Sequence, residues 1–222
     1  MSIKNIKKKL KDVYSNINID IIREYIDKYM MQLIYTSVII LLLIFIFILR
    51  TNLLEKRTED LKNDYYQALR YINTNKVDLA LPILENVYNA KSYNKNIKVI
   101  AGVRLAEILL SLDKEEDALN IYREIYSLKD INEFLKNMSG LAILNILINQ
   151  NNSKNYGEIE QMIQKLSNPS NPLLVLVQEQ SALFEIQRGN KEKGLEILNN
   201  ILLQKDIDEE TAKRIKSVIN VY

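Results

Sequence analysis

The 222-residue chain contains no histidine and no cysteine. The first absence removes the side chain that most often moves protons near neutral pH. The second removes thiol nucleophiles, disulfides and thiolate ligands, and the two together take away most zinc sites. Glycine is scarce, with five residues at 102, 140, 157, 189 and 194, too scattered for a G-x-x-x-x-G-K-[ST] or G-x-G-x-x-G phosphate loop. Proline is scarcer, at 82, 169 and 172, so little interrupts helices. An excess of one charge is missing too: 30 basic residues face 28 acidic ones, interspersed, without the clustered basic face that nucleic acid requires. The carboxylate pairs Glu115-Glu116 and Glu209-Glu210 fall in turns or at a helix start, where acids complement the N-terminal dipole. Ser139 has no base readable nearby, and Tyr65-Tyr66 reads as packing between helices. No catalytic, cofactor-binding or metal-binding residue is expected, and the chain reads as a non-enzyme.

What is present begins with a long apolar run. Residues 29 to 49 carry no charge, and from Val38 to Leu49 every side chain is Val, Ile, Leu or Phe. Residues 30 to 49 include 14 of these four types, an insertion gain on the order of 4 to 8 kcal/mol that Gln32, Thr36 and Ser37 do not offset. At 1.5 Å per residue such a helix covers about 30 Å, the hydrocarbon thickness of a bilayer. A single transmembrane helix over 29–49 is predicted, with a tail at 1–28 and a domain at 50–222. The tail holds Lys4, Lys7, Lys8, Lys9, Lys11, Arg23 and Lys28 against Asp12, Asp20, Glu24 and Asp27. That positive excess places it on the cytoplasmic side and the C-terminal domain outside. Ile3, Ile6, Leu10, Val13, Tyr14 and Ile17 recur at helical spacing among the lysines. They read either as an interfacial helix or as a basic tail that only sets topology.

After Arg50 apolar residues fall at i, i+3, i+4 and i+7 almost throughout, so the fold class is all-α. One unit recurs. Ala106 and Ala118 stand 12 apart, as do Ala68 and Ala80, and Ala182 and Gly194; Ala142 with Gly157 reads as a fourth copy stretched by Asn149-Gln150-Asn151-Asn152-Ser153. Small residues at a fixed interval let two antiparallel helices approach closely. The first-helix alanines 68, 106, 142 and 182 give spacings near those of tetratricopeptide repeats. The predicted architecture is a tetratricopeptide-like helical-hairpin stack, with units near 61–90, 97–127, 133–167 and 173–204 and a capping helix at 208–222.

Such a stack presents a surface lined by the first helix of each pair. Positions one and four after each key small residue are Glu107 and Leu110, Ile143 and Ile146, Leu183 and Ile186. They are the candidate lining of a groove for an apolar partner segment, against the competing and preferred reading that they are ordinary core.

With these residues in view the whole chain resembles the YfgM-like family of bacterial inner-membrane proteins, ancillary subunits of the Sec translocon. The likeness rests on the lead-in Ile22 to Lys28, the single span, units such as Val103-Arg104-Leu105-Ala106 and Ala182 to Gly194, and the ending Ala212 to Asn220. The longer lysine-rich tail and the Asn149 to Tyr156 insertion depart from it. The resemblance implies a bacterial inner-membrane protein with its N-terminus in the cytoplasm and its repeat domain in the periplasm, contacting translocon subunits and periplasmic chaperones. The expected function is a membrane-tethered adaptor for protein partners. A self-associating structural scaffold of the inner membrane is the alternative.

Overall fold

The computed structural model describes residues 19–90, 95–205 and 207–222, and every element among them is helical. The pattern from Ile3 to Ile17, with its lysines, lies outside the described residues. The chain divides into two units, Met1–Lys56 and Arg57–Tyr222.

In the first unit, helix α1 (Ile19–Asn73) starts ten residues before the charge-free stretch. No glycine or proline interrupts it. All twelve side chains from Val38 to Leu49 are exposed. Among the described residues α1 is the one helix long and apolar enough to cross a membrane.

The second unit takes the end of α1, from Arg57, and continues through α2 (Val77–Asn89), α3 (Lys95–Ser111), α4 (Glu115–Ser127), α5 (Glu133–Asn149), α6 (Tyr156–Leu166), α7 (Leu174–Gln187), α8 (Lys191–Leu202) and α9 (Glu209–Val221). Local chemistry sets several starts. The Asn132 side chain accepts from Phe134 N–H at 2.9 Å before α5, and Asp208 accepts from Thr211 N–H at 2.8 Å before α9. Glu115, Glu116 and Asp117 occupy the first turn of α4.

Four helix ends are built alike. Asn75, Asp113, Asn151 and Gly189, each 38 residues from the next, have φ of 57, 59, 44 and 96°. Their N–H groups donate to Ile72, Leu110, Ile148 and Ile186 C=O at 3.0 to 3.1 Å. At three of them the following N–H reaches five residues back, to Tyr71, Leu109 and Glu185 C=O, at 2.8 to 2.9 Å. This double bond pattern closes a helix through a left-handed residue. Asn, Asp and Gly are the residues that tolerate it.

Ala68, Ala80, Ala106, Ala118 and Ala182 are fully buried, and a Cβ on Gly194 would stand 2.7 Å from Ala182 C=O. The fourth expected pair is different: Ala142 is only half-buried, and Gly157 is exposed with nothing within 4 Å of where a Cβ would stand. Leu144, 38 residues from both Ala106 and Ala182, holds the buried place. The extra residues do not lengthen the turn at Asn151. They form a 3-10 turn, Ser153–Asn155, ahead of a short α6. Close approach is supplied instead by Gly140, as by Gly102 one unit earlier. A Cβ there would meet the Tyr126 ring at 2.9 Å and the Tyr88 ring at 2.7 Å.

Two apolar clusters result. The larger runs from Tyr65 to Phe184; the smaller joins Ala182, Leu198, Ile201 and Ile215. Helix α7 serves both, with Val177 and Phe184 in the first and Ala182 in the second. Its entry is fixed by Asn171, whose buried amide donates to Leu166 C=O at 2.8 Å and whose oxygen accepts from Leu173 N–H at 3.0 Å. The proline-bounded break at 168–172 therefore carries its own backbone partners.

Candidate functional site

The candidate groove residues separate into two sets. Ile143 and Ile146 are buried in the larger cluster, at 0% and 6% exposure. Leu110 and Ile186 are half-buried and pack against the larger and smaller clusters. Glu107 is exposed and Leu183 half-exposed. Four of the six candidate groove residues therefore belong to core packing. The cause is register. With Leu144 as the key residue of the third hairpin, the position equivalent to Glu107 and Leu183 is Asn145, not Ile143.

Followed at 38-residue spacing, the outward side of the first helices is mainly polar, with Leu69, Ala142 and Leu183 half-exposed in the same registers. Tyr66 and Asn73 are exposed near the end of α1, Arg104, Glu107 and Ser111 on α3, Asn145 and Asn149 on α5, and Gln187 on α7. Arg104 Nη1 donates to Glu107 Oε2 at 2.6 Å, one helical turn on. The hydrogen bond from Arg104 to Glu107 raises the guanidinium pKa further. Beneath it burial pushes the Tyr122 hydroxyl up to about 12, with the Glu107 charge adding to the shift and Arg104 opposing it. On the neighbouring helix Asn149 Nδ2 donates to Asn145 Oδ1 at 3.4 Å. The face therefore offers one compensated ion pair and a set of side-chain amides. Amides both donate and accept, which suits them to peptide backbone. Sequence reasoning missed Arg104, Asn145 and Asn149, although the recurrence of Asn, Asp or Gly at the four turns marks the register.

A second feature is a cleft of about 270 Å³ lined by Asp113, Lys114, Glu115, Glu116, Asp117 and Gln150. Gln150 Nε2 donates to Glu115 and Glu116 at 3.4 and 3.3 Å, and Asn155 Nδ2 donates to Gln150 Oε1 at 3.1 Å. The first two bonds join the start of α4 to the end of α5, and the third ties that end to the 3-10 turn. Among the described residues no group of three His, Cys, Asp or Glu is placed to hold a metal ion.

Charged groups elsewhere tie helices together. Glu185, 5% exposed, accepts from Arg188 Nε, Arg188 Nη2, Asn190 Nδ2 and Lys193 Nζ at 2.7 to 2.9 Å. Burial works to raise its pKa, but these donors prevail and hold it at about 2. Arg188 also donates to Glu160 on α6 at 2.6 Å. Tyr88 on α2 donates to Glu124 on α4 at 2.6 Å, and Lys98 on α3 donates to the same carboxylate at 3.0 Å. The Tyr88 hydroxyl is pushed up by burial and by Glu124, and the Glu124 carboxyl is held down by the Tyr88 bond. The chain matches no protein-family model, no curated protein and no solved structure.

Proposed function

We propose that the chain is a membrane-tethered, non-enzymatic adaptor: a tetratricopeptide-like hairpin stack, held at a bacterial inner membrane by the 29–49 span, whose outward first-helix face holds a protein partner in extended conformation. The N-terminus lies in the cytoplasm and the stack in the periplasm, and the family resemblance makes translocon subunits and periplasmic chaperones the first partners to test. Tethering confines the face to a thin shell at the membrane, where raised effective concentration makes weak contacts productive.

The observation that carries this reading is the 38-residue recurrence of left-handed turns at Asn75, Asp113, Asn151 and Gly189, which puts Glu107, Asn145 and Leu183 in one register on successive hairpins. The same register favours an adaptor over a self-stacking scaffold. Where the second and third hairpins have Gly102 and Gly140, the first has Asp64, the fourth Gln178 and the closing helix Lys216. Where they have Leu105 and Ile143, the first has Gln67; where the second and fourth have Ala106 and Ala182, α9 has Asn220. Polar residues thus stand at both ends in register positions that are small or apolar on α3 and α5, while Leu203 and Val221 are exposed beside the closing helix.

The test is a photo-reactive residue placed at Asn145 in the full chain in intact cells, beside a periplasm-dependent reporter fused after Tyr222. The expected result is cross-links to other proteins and an active reporter. Products made only of this chain favour the scaffold, and a reporter active only in the cytoplasm overturns the compartment.

A further inference from the structure

The first turns of α1 form an amphipathic segment. Ile22, Tyr25, Ile26 and Tyr29 follow i, i+3, i+4, i+7 and share one side, while Arg23, Glu24, Asp27 and Lys28 fill the other. The apolar stripe is uncovered: Tyr25 is 62% and Ile26 47% exposed. The two tyrosine rings stack at 5.9 Å between centroids, and the Lys28 ammonium lies 5.6 Å from the centre of the Tyr29 ring. Tyr29 is also the first residue of the charge-free stretch, so the pair sits where charged helix gives way to apolar helix. The other end differs, since residues 50–56 contain no aromatic side chain.

We propose that Tyr25, Lys28 and Tyr29 form a phospholipid-binding collar that docks in the headgroup layer of one leaflet and fixes the depth of α1. The proposal rests on the membrane-spanning reading of 29–49 and adds the ligand class and the residues that hold it. A tyrosine ring seeks hydrocarbon while its hydroxyl seeks water, and both are satisfied only at the boundary. With Tyr29 at the hydrocarbon edge, Tyr25 stands about 6 Å further out, within a headgroup layer of roughly 5 to 8 Å. Lys28 lays its alkyl stem beside the Tyr29 ring and extends its ammonium to a lipid phosphate. Charge complementarity selects the occupant: Lys4, Lys7, Lys8, Lys9 and Lys11 precede the collar in sequence, so the adjoining surface is an anionic leaflet.

The chain has no tryptophan, so a single introduced indole reports alone. Full-length Tyr25→Trp, Tyr29→Trp and Ile39→Trp are reconstituted in vesicles of phosphatidylcholine and phosphatidylglycerol whose acyl chains are brominated at shallow or deep positions. Ile39 stands about 15 Å beyond Tyr29 along the helix, at the bilayer centre. The expected result is quenching of Ile39→Trp mainly by deep bromines, and of Tyr29→Trp mainly by shallow ones. Tyr25→Trp should be quenched more weakly than Tyr29→Trp and again from the shallow side. Deep quenching of Ile39→Trp with no quenching of Tyr29→Trp, or with equally deep quenching, overturns the collar and leaves the span standing. Absence of quenching at Ile39→Trp overturns the span itself.

Discussion

Arg214 on α9 grips Glu179 on α7 through two guanidinium nitrogens, Nε at 3.1 Å and Nη2 at 2.8 Å, across 35 residues of sequence. Together with Ile215, Val218 and Ile219 on the smaller cluster, this pair secures the last helix. Glu179 is 7% exposed, so Arg214→Gln leaves a buried carboxylate without its cation. Breaking a fully buried pair costs about 3 to 5 kcal/mol. Arg214 itself is 44% exposed along its side chain, and solvent reduces the cost to about 1 to 2 kcal/mol. Native-state hydrogen exchange should show α9 amides opening first, with α3 to α5 unchanged. Equal acceleration throughout would mean that α9 is not a separable cap.

Glu185 makes stability depend on acid in a defined window. Its folded pKa of about 2 lies below the unfolded value near 4.3. The stabilisation is therefore fully present above about pH 4.3 and is lost as pH falls from there towards 2, amounting to at most about 3 kcal/mol. Glu185→Gln should lower stability at pH 7 and approach the parent protein's stability near pH 2 to 3, as read by denaturant unfolding in detergent. A constant difference from pH 7 to 3 would mean that the four donors do not stabilise the ionised form.

The hairpins were legible in the sequence where a small residue sat on both helices, as with Ala106 and Ala118. The third was not, because Ala142 stands two residues from the true position and drew the register towards it. Two residues turn a helix by about 200°, which exchanges the buried side for the exposed one. Keyed on Ala142, the groove candidates on this helix become Ile143 and Ile146, and Asn145 is passed over. The left-handed turn residues were a better guide than the alanines, since backbone geometry tolerates few alternatives there. The pairs Arg214–Glu179 and Lys98–Glu124 join helices across 35 and 26 residues, which no local rule connects, so only the folded chain reveals them.

Two glycines should respond in opposite ways to the same substitution. Gly157 is exposed and helical with open space around it, so Gly157→Ala should stabilise by about 0.4 to 1 kcal/mol through the unfolded chain. A Cβ added at Gly194 would stand 2.5 Å from Ile186 Cγ1 and 2.7 Å from Ala182 C=O, and the backbone carbonyl cannot swing aside. Gly194→Ala should cost about 1 to 3 kcal/mol by overpacking. Thermal unfolding of the two variants decides the matter, and destabilisation by Gly157→Ala would refute the corrected register of the third hairpin.

The sharpest separation of face from core is on α5. Ile143→Asp with Ile146→Asp places two carboxylates in the larger cluster, where neither finds a cation, and each costs several kcal/mol. Circular dichroism should show loss of helix. Asn145→Ala with Asn149→Ala, on the same helix, should leave helical content unchanged and stability within about 0.5 kcal/mol of the parent, because both side chains are exposed and bond mainly to each other. The same double change, combined with Glu107→Ala, should abolish photo-cross-linking of partners to a probe placed at Gln187. Retained cross-linking would remove the first-helix face as the binding surface, whereas unfolding by the asparagine pair would show that these amides hold α5 in place and are not free to meet a partner.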